Sequence, residues 1–268
     1  MSESLVKIGF LPETSQLTPN SPFSQFRLGR HPHFDERSRQ FRVKVDHTAA
    51  LKSQMWDRPA QPFNQGNVGS CTGNGCVGCL ATAPYNHDGV GDNVVFNEQL
   101  ALRVYGMATL LDPIVGTYPP DDTGSTVLAA MKAAKKMGLI KGYEWCFGLQ
   151  DVLQTLSHHG SVEVGVTWYE GFFNPDANGQ IHLSGSVAGG HAFQLIGIDV
   201  EKKLVWAVNS WGHNWGKDGR FCMSWDLLDT LLKEGGEAVH VVCAKNPPKK
   251  SFWQSIFDWF KSLFGNHN

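Results

Sequence analysis

The chain has no uninterrupted apolar run of about 18 residues, so no segment is built to span a bilayer as a helix. Its first residues, MSESLVKIGFLPETSQ, lack the charged start and apolar stretch of a secretory signal peptide. A cytoplasmic location is the expectation, with peripheral membrane association left open. No charge of one sign prevails. The 23 basic and 25 acidic residues give a net charge of −2, which excludes a global field directed at nucleic acid. Cysteine is sparse, and the six, at 71, 76, 79, 146, 222 and 243, read as reduced thiols without an export signal. Cys76 and Cys79 have no second cysteine pair at a zinc-like spacing, so neither a metal nor an organic cofactor is expected. Internal repeats and low-complexity tracts are absent as well.

What is there, 268 residues, suffices for a sizeable core. Residues 1–45 carry Pro12, Pro19, Pro22 and Pro32 and an Arg-rich stretch, FRLGRHPHFDERSRQFRVK, with neither helical nor strand periodicity. They read as an extension, either a pro-segment occupying a cleft or a brace along the body. The middle third reads helical. FNEQLALRVYGMATLLD stops before Pro113, and TGSTVLAAMKAAKKMG offers Thr123 or Ser125 as an N-cap and Gly138 as a C-cap. After Gly160 come short runs rich in Val, Ile, Phe and Trp: SVEVGVTWY, HAFQLIGID, LVWAVNS, GRFCMSW and AVHVVCA. Turn residues separate them, as in an antiparallel sheet or barrel. A helix-rich first half and a strand-rich second half predict an α+β architecture of two lobes, with the cleft between them as the place for a site.

Residues 247–268 stand apart as a proline linker and a terminal segment, SFWQSIFDWFKSLFGNHN. Wound as a helix, the aromatic and aliphatic residues of 251–264 fall on one side and the polar ones on the other. Such a face suits a membrane surface or a protein surface, the chain's own or a partner's.

The stretch NQGNVGSCTGNGC raises the question of chemistry. A thiol becomes a strong nucleophile when ionised near neutral pH, which a helix N-terminus and a nearby histidine both favour. Cys71 follows a Gly69-Ser70 turn and opens an apolar segment, so its sulfur would face the free N–H groups of a first helical turn. Gly73, Gly75 and Gly78 each cost roughly 1 kcal/mol against Ala in a helix, so close packing must hold this one together. Cys76 and Cys79 then read as small buried residues. Taken singly, a Cys at a helix start, a His on a strand or an Asn-Ser-Trp-Gly turn is most often structural. The remaining histidines, among them His31, His33, His158 and His159, read as solvated or structural.

Taken together, the segments resemble the papain-like cysteine peptidases. NQGNVGSC resembles that family's active-site segment, GGHAFQLIGID its strand with the general base, and AVNSWGHNWGKDGRF its Asn-Ser-Trp-Gly segment. The resemblance covers about residues 46–246, closest to the bacterial and viral branch, with GSCT in place of GSCW. It implies a two-lobed fold with the nucleophile helix in one lobe and a barrel-like antiparallel sheet in the other. It also implies an endopeptidase acting on proteins or peptides through a Cys71 thioester. His191 would be general base and acid, Asn209 its orienting amide, Trp211 the aromatic shield, and Gln65 an oxyanion donor. His191 and Asn209 follow Cys71 by 120 and 138 residues, the second within the family's span of roughly 130–150 and the first short of it.

Further expectations rest on the same resemblance. Gly124 and Ser125, in DDTGST, would offer backbone to an extended peptide in place of the family's Gly-Gly. Gly165 would line a roomy pocket for the second residue before the scissile bond, and Gly190 would contact substrate without a side chain. Val68 replaces the cysteine that family members pair by a disulfide beside the nucleophile. No helical inhibitory segment of the lysosomal type is visible in residues 1–45. Two other readings keep the constellation: an acyltransferase or amidase using Cys-His-Asn, and a non-catalytic module attaching through residues 251–264.

Overall fold

The computed structural model describes residues 23–85 and 94–243. The linker and terminal helix expected over 247–268 lie outside the described residues, as does the start of the extension. Among the described residues, no helix is long and apolar enough to cross a membrane.

Five helices are described: α1 (Cys71–Leu80), α2 (Glu98–Thr109), α3 (Val127–Lys136), α4 (Leu149–His158) and α5 (Trp225–Lys233). Side-chain caps fix several starts: Leu100 N–H donates to Asn97 Oδ1 at 3.0 Å, and Ala129 N–H donates to Thr126 Oγ1 at 3.0 Å. Thr126, not Thr123 or Ser125, is thus the cap of α3. Ser125 is committed elsewhere, its Oγ donating to Asp112 and its backbone pairing with residues 29 and 31. Gly138, at φ +71°, ends the helix as expected.

Helix α1 has no side-chain cap and no acidic residue in its first turn, yet all ten of its residues are buried. Its glycines explain how. A Cβ on Gly73 would strike Ala101 O and Tyr105 of α2, one on Gly75 would meet Glu163, and one on Gly78 would meet Gln194. The helix is therefore clamped between α2 and the sheet, and packing rather than propensity holds it.

The sheet is antiparallel, in the order β2 (Ile140–Trp145), β7 (Glu237–Cys243), β3 (Val162–Tyr169), β4 (Val187–Asp199), β5 (Leu204–Val208), β6 (Arg220–Ser224). A short β1 (Gln54–Met55) pairs with β4. Strand β2 lies before Gly160, where the sequence suggested only helices; IKGYEW mixes Lys, Gly and Glu and gives no alternation to read. The Arg-rich extension also contains a 3-10 helix, Glu36–Phe41, capped by Asp35, too short for a periodic signal.

Two cores result. One lies among α1, α2 and α3, with Val77, Leu80, Val104 and Met131 at its centre. The other covers the sheet, with Val164, Trp168, Phe193 and Phe221. Helix α1 and strand β4 face each other where the two meet.

Candidate active site

Cys71 is the first residue of α1 and is fully buried. Backbone hydrogen bonding from Ala192, Gly29 and Thr72 offsets part of the effect of that burial on its thiol. Ala192 follows His191 in β4, the strand packed against α1. Strand β4 carries His191 opposite Val166 of β3, and β5 ends one residue before Asn209.

His191 Nε2 lies 2.8 Å from Asn209 Oδ1, and that oxygen also accepts from Ser210 N–H at 2.8 Å. A backbone N–H can only donate, so the atom is the amide oxygen and Nε2 must carry the ring proton. Nδ1 is then the basic nitrogen, and it is buried without a hydrogen-bond partner. Trp211 stacks on the imidazole at 4.6 Å between centroids and 23°, while Trp168 meets it edge-on at 4.8 Å. The ring is thus held in plane by aromatic faces and in tautomer by Asn209.

Gln65 joins this group through a bridge between two chain segments. Its N–H donates to Ser210 O at 2.9 Å, and Gly212 N–H donates to Phe63 O at 2.8 Å. Gln65 Oε1 accepts from Ser210 Oγ at 2.5 Å, which turns Nε2 the other way, to Val68 O at 2.7 Å and Arg27 O at 3.1 Å.

Arg27 belongs to the extension, which runs across Cys71. Gly29 O accepts from Ser125 N–H at 2.8 Å, and His31 N–H donates to Ser125 O at 2.9 Å, a parallel bridge centred on Arg30. Gly29 and Arg30 N–H both reach Gly190 O, at 3.2 and 3.0 Å. Gly124 and Gly190 lie so close to this strand that any Cβ would collide with it. His31, read from sequence as solvated or structural, sits in the cleft with Nε2 at 2.7 Å from Thr123 O.

The side chains of the strand are seated too. Arg30 is 2% exposed, wedged against Gly165 and paired with Glu237 at 2.8 Å. Arg27 reaches Asp122 at 3.0 Å. Phe26 lies 4.8 Å from Trp211, and Phe23 stacks on Phe173 at 4.6 Å. A groove of about 620 Å³ continues past them along Asn174–Ala177 and Asn214–Lys217.

Covering changes the electrostatics. Burial pushes the Cys71 thiol up to about 12 and drops the His191 imidazole to about 4, the hydrogen bond to Asn209 offsetting only part of the latter. Both groups are neutral at pH 7 in this state. Residues 27–30 exclude the water that would solvate charge on either group.

Three acids near the thiol escaped the sequence reading. Glu163 is fully buried beside Gly75, both oxygens lack a partner, and burial together with Glu237 holds its carboxyl well above the usual range, which favours its protonated form. Burial raises Glu237 as well, with Arg30 opposing. Asp122 accepts from Gly69 N–H at 2.9 Å and Tyr105 Oη–H at 2.6 Å. The one signal for Glu163 was its place in an otherwise apolar strand, VEVGV. Cys76 and Cys79 are buried and free, as expected, and no disulfide occurs among the described residues. No cluster of three or more His, Cys, Asp or Glu among the described residues could hold a metal ion.

No protein-family model matches the chain. Among solved structures, xylellain, a cysteine protease from Xylella fastidiosa, superposes with TM-score 0.62 at 18% identity, over 82% of this chain and 97% of that one. The fold is papain-like. In sequence, the chain is 37% identical over 81 residues to cathepsin B-like cysteine proteinase 6 of Caenorhabditis elegans, covering 28% of this chain and 21% of the relative. It is 27% identical over 176 residues to cathepsin B-like cysteine proteinase 4 of the same organism, 58% of this chain and 52% of the relative. The chain thus spans between about a fifth and a half of the length of these curated relatives. Within the papain-like frame, Cys71, Gln65, His191 and Asn209 converge at the junction of helices and sheet.

Proposed function

We propose that the chain is a papain-like cysteine endopeptidase of the type found in bacteria and viruses, described here with its own residues 27–31 lying in the cleft. One observation carries the reading. His191 is buried with an unpartnered Nδ1 while Asn209 fixes Nε2–H at 2.8 Å, in the strand packed against the helix that Cys71 opens.

With a substrate in place of the segment, the thiol proton passes from Cys71 Sγ to His191 Nδ1, and the sulfur adds to the peptide carbonyl carbon. The oxyanion takes hydrogen bonds from Gln65 Nε2 and the Cys71 backbone N–H. Removing one such donor costs about 3 kcal/mol of barrier. His191 returns the proton to the departing amine, leaving a Cys71 thioester. It then takes a proton from water as the hydroxyl adds, and the thiol departs with that proton.

In this reading residues 1–45 form a latency segment, 46–246 the peptidase domain, and 247–268 an appended anchor for a membrane or partner. Latency is supported by how residues 29–31 are held in the cleft: Gly29 and Arg30 N–H donate to Gly190 O, Gly29 O accepts from Ser125 N–H, and His31 N–H donates to Ser125 O. Release of a fluorogenic amine from peptide substrates by the wild type, set against Cys71→Ala and His191→Ala, tests the hydrolase. Activity surviving in Cys71→Ala would overturn it.

A further inference from the structure

The side-chain nitrogen of Gln65 carries two hydrogens. One is engaged by Val68 O at 2.7 Å and the other by Arg27 O at 3.1 Å, the carbonyl that a substrate would displace. Gln65 Oε1 is held by Ser210 Oγ, so the aim of the second hydrogen depends on where the Val68 carbonyl stands. That carbonyl shares a peptide plane with the Gly69 N–H, which donates to Asp122 Oδ1 at 2.9 Å and Oδ2 at 3.0 Å. Gln65 and Asp122 thus grip one peptide from opposite edges.

Glycine at 69 leaves this plane free to turn over. Half a turn would take the carbonyl away from Gln65 and bring it against a carboxylate, which can only accept. Asp122 therefore permits one orientation of the peptide. It is itself fixed, because Oδ1 accepts from Tyr105 Oη at 2.6 Å, and that hydroxyl accepts from Gly124 N–H at 2.9 Å. Tyr105 is fully buried in α2, with its Cβ against Gly73 of α1. The anchor thus runs from the helical core to the loop that ends at Cys71. Val68 leaves this loop without the disulfide that the resemblance implies for it, and the carboxylate takes hold one residue further on. Arg27 also pairs with Asp122, through Oδ2, but it belongs to the extension and leaves with it.

We propose that Asp122 is a positioning residue for the oxyanion donor, acting on the Gln65 amide through the Val68–Gly69 peptide. The proposal rests on the peptidase reading, and its test separates the two. The full chain carrying Arg27→Ala and Arg30→Ala serves as background, since the cover is loosened there and Asp122 has lost its ion pair. The probe is a blocked glycine p-nitrophenyl ester. Cys71 Sγ bonds to the ester carbonyl carbon, nitrophenolate leaves, and the thiol proton passes to His191. The nitrophenolate burst, with the acyl mass on Cys71, gives the acylation rate without need of peptide turnover.

Asp122→Ala is expected to lower that rate at saturating ester at least tenfold when Gln65 is present. In a Gln65→Ala chain, itself slower by about 10²–10³-fold, the same change should cost less than about twofold, because the two residues act as one unit. Asp122→Asn keeps one acceptor for Gly69 and should fall in between. Cys71 alkylation by iodoacetamide, whose transition state has no oxyanion, should stay within about twofold, which also reports that the variants are folded. Equal losses with and without Gln65, a change confined to the half-saturating ester concentration, or alkylation falling together with acylation overturns the proposal. Should Asp122→Ala not fold, Asp122→Asn is read in the same two chains by the same criteria. The expected coupling without amine release from peptide amides upholds the positioning role and overturns the hydrolase. No acylation of Cys71 in any form overturns both.

Discussion

The side-chain amide of Gln65 donates to the main-chain carbonyl of Arg27 at 3.1 Å, so the group proposed to hold an oxyanion holds the chain's own extension. The same strand covers Cys71, fills the Gly165 pocket with Arg30 and lays Phe26 on Trp211. Site and cover are built from one sequence.

The two arginines contribute unequally to that cover. Arg27 and Asp122 are partly exposed, and such pairs are worth about 1 kcal/mol or less. Arg30 and Glu237 are buried, and removing one partner from a buried pair costs about 3–5 kcal/mol. Arg30→Ala is therefore expected to raise the peptide-hydrolysis rate of the full chain at least tenfold, and Arg27→Ala by less. Equal effects, measured with a neutral dipeptide substrate, would contradict this ordering.

Asn209 acts through His191. Asn209→Ala removes the acceptor from Nε2–H and frees the tautomer, a loss of about 1–2 kcal/mol, or roughly 5–30-fold in kcat with KM little changed. Steady-state kinetics on the Arg30→Ala background, where the cleft is open, provide the comparison. A change confined to KM would show that Asn209 serves binding instead.

Packing at Gly75 opposes helix propensity. Alanine there is favoured by about 1 kcal/mol as a helix former. Its Cβ, however, would come within 2.9 Å of Glu163 Oε1 and 3.0 Å of the carbons behind it, and overpacking of this kind costs about 1–3 kcal/mol. Gly75→Ala should therefore lower Tm. Gly142→Ala, with nothing within 4 Å of the added methyl, should leave it within a degree or two.

Glu163 makes stability depend on pH. Its folded-state carboxyl is raised well above the usual value by burial, then by Glu237. The unfolded chain ionises it first as pH rises. Its stabilising contribution is thus complete below about 4.5 and is lost as pH climbs toward the folded value, at about 1.4 kcal/mol per pH unit. Denaturant unfolding of wild type and Glu163→Gln between pH 5 and 8 should diverge by that slope in favour of the variant. Parallel curves would mean that Glu163 is ionised in the fold.

Much of this was readable from local pattern. Cys71, His191 and Asn209 lie in segments whose glycines, aromatic residues and order carry the resemblance, and the strands after Gly160 are runs rich in Val, Ile, Phe and Trp set off by turn residues. Long-range pairing was not readable. Asp122, Glu163 and Glu237 acquire meaning only from Gly69, Gly75 and Arg30, each more than fifty residues distant. Nor does an Arg-rich stretch without periodicity reveal that Gly29 crosses a thiol.

The central claim is that Cys71 is an activatable nucleophile closed over by residues 27–31. The rate of Cys71 alkylation by iodoacetamide, followed by peptide mass mapping from pH 5 to 9, tests it most directly. In the wild type, with the thiol near 12, labelling should be slow and rise about tenfold per pH unit. In the Arg27→Ala, Arg30→Ala double variant it should be fast at pH 6 and nearly flat, as an ion pair with His191 requires, and His191→Ala should remove the low-pH labelling. Identical steep profiles in wild type and double variant, or labelling of Cys76 and Cys79 in preference to Cys71, would contradict the account.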